Sequence, residues 1–291
     1  MVSRNTLAAL SSAAVLLTAL AGCAPADESG PSAGASASPS GAACATGALD
    51  TQTAGKLTIG TDNPAYEPWF KDNKPNNGQG FESAVAYQVA ERLGYPAQNV
   101  VWAQVTFNNA IAPGPKTFDF DINQFSITPE RKKAVDFSSP YYLVRQTVIT
   151  TKGSKIAGAK TLAELKSAKL GAQVGTTSYQ AVNEIIKPDA KAQVYNNNDD
   201  AKAALVNGTV DGIVVDLPTA FYMTAAELDN GVIVGQLPQV GVPEQFGLVL
   251  DLDSPLTGCV TQAVDQLRQD GTLAVLEKQW LASTGGAPEL S

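Results

Sequence analysis

The chain has 291 residues, more than one average domain and enough for two. Its 20 lysines and arginines against 28 aspartates and glutamates leave a formal charge of −8, which excludes the basic footprint of a nucleic-acid binder. Histidine is absent, so the commonest general base and the commonest metal ligand are missing, and neither a metal nor a cofactor is expected.

Residues 1–22 read as an export leader. Arg4 supplies the positive start, and Leu7 to Leu20 form an apolar stretch too short to span a bilayer. Leu20-Ala21-Gly22-Cys23 resembles the lipobox of bacterial lipoproteins, in which the cysteine is acylated and becomes the first residue. Two or more acyl chains, each gaining roughly 0.8 kcal/mol per buried CH2, hold a soluble domain at a membrane surface. Residues 23–49, dominated by Ala, Ser, Gly and Pro, have too little apolar bulk to offset the entropy of ordering and are predicted to be a flexible tether. With Cys23 acylated, Cys44 and Cys259 are left as an even pair in an oxidising compartment. A disulfide between them is expected; two free thiols are the alternative.

The folded part alternates strand and helix signals. Lys56–Gly60 predicts a strand, and 62–80 a loop with Pro64, Pro68, Pro75 and an Asn77-Gly78 turn. Phe81, Val85, Val89 and Leu93 recur one helical turn apart, and Gly94 and Pro96 end that helix. Val100–Val105 and Phe118–Phe125 predict strands, the second leading into Ser126-Ile127-Thr128-Pro129-Glu130-Arg131. Tyr142–Thr150 is a β-rich run that could cross between lobes. A capping box, Thr161 with Glu164, opens a helix. Lys169–Val174 predicts a strand running into Gly175-Thr176-Thr177 and a helix to Ile186. Strands follow at 192–195, 210–215, 231–235 and 246–250, with helices at 199–206, 217–228, 254–269 and 272–281. Such alternation predicts an α/β fold with largely parallel sheets.

In open α/β sheets ligands sit beyond the carboxyl ends of strands, and Ser126, Gly175 and Asp216 each follow a predicted strand. An arginine fork (Arg131) and a helix N-terminus (Thr176, Thr177) are suited to a carboxylate, and Asp216 to an ammonium. Together they point to an amino acid.

Several segments, in order, resemble the polar amino-acid-binding proteins of ABC importers, the family 3 solute-binding proteins. They are Gly60-Thr61-Asp62, Gly80-Phe81-Glu82, Ser126 to Arg131, Asp136-Phe137-Ser138-Ser139-Pro140-Tyr141-Tyr142, Gly175-Thr176-Thr177 and Asp211 to Asp216. The resemblance covers about residues 55–283. It implies a two-lobed periplasmic-binding-protein-like fold of type II, closing on its ligand about two hinge strands. One lobe would comprise 50–143 plus 243–284, the other 147–240. It further implies an extracytoplasmic, lipid-anchored protein at the cell membrane, a permease partner, and a monomer.

Carried over by position, Arg131 would clamp the α-carboxylate with Thr177. Ser126 would touch both carboxylate and ammonium, and Asp216 would pair with the ammonium. Tyr66 would cover the ligand side chain, Asp62 would lie at its far end, and Phe107 would close the pocket. This chain departs from the family at Asn123, Gln124 and Phe125, where small residues are usual, so Gln124 either enters the pocket or turns away. The stretch 62–66 is one residue longer than usual, and Trp69 or Phe70 could replace Tyr66 as the stacking ring.

Each residue also has a plainer reading. Arg131 could be a surface cation beside Glu130 or Asp136, Asp216 or Thr176 a helix cap, Asp62 a turn residue, and Tyr66 or Trp69 a core ring. Two other functions share the fold. One is a periplasmic dehydratase, for which Glu67, Glu82 and Glu244 are available acids outside any catalytic motif. The other is a lipoprotein that senses its ligand.

Overall fold

A computed structural model describes Cys44, residues 49–281 and residues 286–291. The expected leader 1–22, Cys23 as the expected acylation site, the rest of the predicted tether 23–49 and the predicted end of the first lobe, 282–284, lie outside the described residues.

Strands β1 (Leu57–Thr61), β2 (Val100–Gln104), β3 (Phe120–Asp121) and β4 (Val135–Phe137) come first, with helices α1 (Phe81–Arg92) and α2 (Phe107–Ala110) among them. A short β5 (Tyr142–Leu143) leads into β6 (Gln146–Thr151). Then come α3 (Leu162–Leu165), β7 (Leu170–Gln173), α4 (Thr177–Ala181), β8 (Gln193–Tyr195) and α5 (Asn198–Val206), and after them β9 (Gly212–Asp216), α6 (Leu217–Tyr222) and β10 (Gly231–Gln236). The chain returns through β11 (Gln245–Phe246) and β12 (Val249–Asp251) to α7 (Thr257–Gln269) and α8 (Thr272–Leu281).

These strands make two five-stranded sheets, ordered β2-β1-β3-β12-β4 and β10-β6-β9-β7-β8. The first draws β12 from the far end of the chain, so its lobe is discontinuous. Between the lobes two crossovers run side by side, and β5 pairs antiparallel with β11, Tyr142 opposite Phe246.

The sheets are mixed rather than largely parallel. β6 runs antiparallel to β9 and β10, and β12 to β3 and β4. Both strands are entered straight from a crossover, with no helix to reverse the chain. Parallel pairing persists where a helix intervenes, as in β1 with β2 and β7 with β9.

The core follows the apolar spacing. Phe81, Val85 and Val89 of α1 are fully buried and pack with Phe120, Ile122, Val260 and Val264. In β9, Ile213-Val214-Val215 is covered on both faces, the condition of a central strand. The Thr161–Glu164 capping box forms, although its helix is only Leu162–Leu165. The helices after β7 and β9 continue as π-turns to Ile186 and Glu227. The run Phe118–Phe125 keeps only Phe120–Asp121 in the ladder, because Gln124 adopts φ 50° and kinks the chain.

Cys44 and Cys259 are bridged, S–S 2.07 Å, within the first lobe's core. Sequence periodicity ends at Leu281, yet residues 286–291 are built into the second lobe. The Gln236 N–H donates to Pro288 O (2.7 Å), the Leu290 N–H to Gln236 O (2.9 Å) and the Leu162 N–H to Ser291 O (2.9 Å). Leu290 is 1% exposed in that lobe's core, and Arg145 pairs with Glu289 at 2.5 Å. Since Leu273 and Leu281 of α8 are buried in the first lobe, the tail is a third covalent link between the lobes.

Candidate functional site

Between the sheets lies a cavity of about 220 Å³. Its walls are strand ends: Asp62 after β1, Asn123 and Gln124 after β3, Gln173 at the end of β7, Asn196–Asn198 after β8, and Asp216 at the end of β9. Thr176 and Thr177 add the start of α4, and Tyr66 and Phe107 add rings. Ser126 and Arg131 stand behind this wall: Ser126 meets Thr177, and the Arg131 guanidinium lies over the ring of Phe107.

Arg131 is half-buried and reaches across the lobes. Its Nη1 donates to Ser126 O (2.7 Å) and its Nη2 to Gly175 O (3.0 Å), and the guanidinium lies 5.3 Å from the centre of the Phe107 ring. Burial lowers its pKa to about 10, against the opposing pull of Glu244 and Asp216. Gly175 permits the approach from the other side. It has φ +75°, and a Cβ there would meet Asn108 Oδ1 at 2.3 Å.

Asp216 opens α6, but its side chain makes no capping bond there. Its Oδ1 instead accepts from Gln146 Nε2 (2.8 Å). Burial first, then Glu244, holds this carboxyl well above the ordinary range, with Gln146 and Arg131 opposing. Neither Arg131 nor Asp216 has an ion-pair partner among the described residues.

The two helix-start threonines divide their work. Thr176 caps α4, accepting from the Tyr179 N–H (3.1 Å). Thr177 Oγ1 lies 3.1 Å from Ser126 Oγ, so one hydroxyl from each lobe meets here.

Gln124 resolves as a cavity-lining residue with its amide turned inward. Its N–H donates to Glu82 Oε1 (2.8 Å), and its Nε2 and the Tyr141 hydroxyl also donate to Glu82. Glu82 is fully buried, and desolvation pushes its pKa up to about 7 against those three bonds. Asp121 is also fully buried; burial, then Glu82 and Asp62, hold it well above the carboxylate range, against Lys116 and the Ile122 N–H. Asp62 lines the cavity but spends its carboxylate on its surroundings, accepting from the Asn63 N–H (2.7 Å) and the Phe107 N–H (3.0 Å). Tyr66 lines the cavity too, and its hydroxyl accepts from the Asp199 N–H (3.4 Å).

Trp69 is placed elsewhere. It is fully buried, packs edge-on against Phe81, Tyr142 and Phe246, and donates from Nε1 to Thr219 Oγ1 (2.9 Å). Its ring belongs to the core beside the crossovers, because the apolar faces of Tyr142 and Phe246 converge there and exclude water. Phe70 is likewise core.

Sequence reasoning passed over Gln146 and the site role of Glu244. Both sit on the crossovers, where no periodicity marks a side chain's direction. Gln146 Nε2 lies 3.1 Å from each oxygen of Glu244, its Oε1 accepts from Ser178 Oγ (2.7 Å), and Ser126 Oγ donates to Glu244 Oε1 (2.6 Å). The asparagines 196–198 were equally silent, since three amides in a row read as a turn.

Comparison with known proteins bears on the family and the fold. The L-cystine-binding protein TcyJ of Escherichia coli (strain K12) is 27% identical over 233 residues, covering 79% of this chain and 84% of that protein. The ABC transporter glutamine-binding protein GlnH of Bacillus subtilis (strain 168) is 29% identical over 217 residues, covering 73% and 77%. Among solved structures, the ancestral amino acid-binding protein AncCDT-1, a precursor of cyclohexadienyl dehydratase, superposes with a TM-score of 0.64 at 33% identity, covering 78% of this chain and 95% of that one. An ancestral arginine-binding protein bound to glutamine gives 0.66 at 30% identity, covering 78% and 98%. The model of the bacterial extracellular solute-binding proteins, family 3, matches residues 57–283, and the chain belongs to that family.

Proposed function

We propose that this chain captures an α-amino acid between its lobes and delivers it to the permease of an ABC importer. In this reading the leader 1–22 is removed, Cys23 carries the lipid, and the tether 23–49 holds a monomer at the outer face of the cell membrane. The lobes are 50–143 plus 243–284 and 147–240.

The observation that carries the reading is the pair Arg131 and Asp216. Both are half-buried and desolvated, on different lobes: Asp216 lines the cavity, Arg131 lies over the Phe107 ring that lines it, and neither has an ion-pair partner among the described residues. Buried charges are costly unless paired, and a zwitterion brings a partner for each. The carboxylate goes to Arg131, Thr177 and Ser126, and the ammonium to Asp216 and Ser126. Tyr66, Phe107, Gln124, Thr176 and Asp62 surround the side chain. Because neither lobe holds the full set, binding favours the closed arrangement that a permease reads. Relatives named for cystine, glutamine and arginine support the amino-acid class.

The site is a binder rather than a catalyst in this reading. The likeness to a dehydratase lineage runs through a precursor that is itself named as amino acid-binding. Turnover of a prephenate-like acid by the pure protein would replace binding with catalysis.

Thermal unfolding against the twenty amino acids, with sugars and dicarboxylates as controls, tests the proposal. A ligand at about 1,000 times its Kd adds roughly 4 kcal/mol. At this size the midpoint rises by on the order of 8–16 °C. No shift with any amino acid refutes the reading.

A further inference from the structure

Asp216, which lines the cavity, has a second carboxylate beside it, that of Glu244 on an adjoining pocket that shares Thr177 with the cavity. Gln146 Nε2 donates to Asp216 Oδ1 at 2.8 Å and lies 3.1 Å from both oxygens of Glu244, so the two carboxylates share one nitrogen. Ser126 Oγ, which also meets Thr177, donates to Glu244 Oε1 at 2.6 Å.

The position of Glu244 is built rather than loose. The next residue, Gln245, accepts at its carbonyl from the Ile127 N–H (2.8 Å), and Phe246 forms a bridge with Ser126. The crossover carrying Glu244 is thereby strapped to the segment carrying Ser126. Arg131 acts on both carboxylates and the buried acid Glu82 on Asp216, while Arg145 lines the same pocket as Glu244.

A zwitterion brings Arg131 one carboxylate, and one ammonium for two acids. The ammonium therefore sits where both carboxylates act on it. We propose that Glu244 is a second, specificity-determining anchor for the ligand ammonium, selecting solutes with a cationic α-amine over the same acids lacking it. The inference rests on the amino-acid reading above and adds a residue to it.

Isothermal titration of wild type, Glu244→Gln and Glu244→Ala decides. The probes are the α-amino acid that gives the largest thermal shift among the twenty and its des-amino counterpart, which is 5-guanidinopentanoic acid for L-arginine and 4-carbamoylbutanoic acid for L-glutamine. Both variants are expected to weaken the amino acid that wild type binds by on the order of tenfold, and to bind its des-amino counterpart as well as wild type or better. Equal or tighter amino-acid binding by the variants overturns the proposal, because Glu244 then competes with the ligand carboxylate for Ser126. Equal losses for both members of a pair also overturn it, since Glu244 then acts only on crossover geometry. Thermal midpoints near wild type show that the variants fold, and two replacements of different size separate lost charge from lost packing. If wild type binds no α-amino acid, the underlying reading fails; if it binds and Glu244→Gln binds alike, this proposal alone fails.

Discussion

Arg131 and Asp216 differ from ordinary surface charges in what surrounds them. Arg131 is desolvated and donates to two carbonyl oxygens; Asp216 has a single amide donor and a neighbouring acid. Removing either strands one charge of a bound zwitterion, a loss of roughly 2–5 kcal/mol. Arg131→Ala and Asp216→Ala are each expected to weaken amino-acid binding by roughly 30-fold or more. Calorimetry checks this, and a change below about threefold removes the residue from the site. Glu82 makes a prediction about pH. Its folded pKa of about 7 exceeds the ordinary 4.5, so between those values the folded chain holds a proton that the unfolded chain releases. The contribution of this group is present below pH 4.5 and is lost as pH rises to about 7. The midpoint of Glu82→Gln, relative to wild type, should therefore climb across that window and level off above it. Parallel midpoint curves would show that Glu82 titrates normally.

At the scale of elements, two features couple the lobes. The turn between β7 and α4 depends on Gly175, whose positive φ and proximity to Asn108 leave no room for a Cβ. Gly175→Ala is expected to lower stability through its positive φ and ligand affinity several-fold through the clash where the lobes meet. Titration alongside thermal unfolding separates the two effects. The C-terminal tail is the other feature. Ending the chain after residue 285 exposes the Leu290 site and leaves Gln236 without its partners. Losing one buried leucine and its backbone bonds should cost roughly 2–4 kcal/mol. Denaturant unfolding of the truncated protein measures that loss, and an unchanged midpoint would make the tail a passive appendage. Helix α1 was legible in the sequence because its apolar residues recur at the helical period and Gly94 ends it. The tail was not, because Ala287-Pro288-Glu289-Leu290 has no period and its partner strand lies about 50 residues upstream.

At the scale of the whole molecule, the disulfide and the cavity are separate devices. Cys44–Cys259 closes a 215-residue separation inside the first lobe's core, away from the residues that line the cavity. Reduction is expected to lower stability by roughly 2–5 kcal/mol. The ligand-induced shift of the midpoint should survive, and its loss would tie the bridge to binding. The order of motifs along the chain was enough to determine the family and its two-lobed fold class, and to single out Arg131 and Asp216 as candidates, because a strand end, an arginine fork and a helix start are local patterns. Tertiary structure alone decided that Trp69 is core, that the sheets are mixed, and that Gln146 and Glu244 meet Ser126 and Asp216. Those outcomes depend on which segments converge across the crossovers, and long-range convergence leaves no period in the sequence.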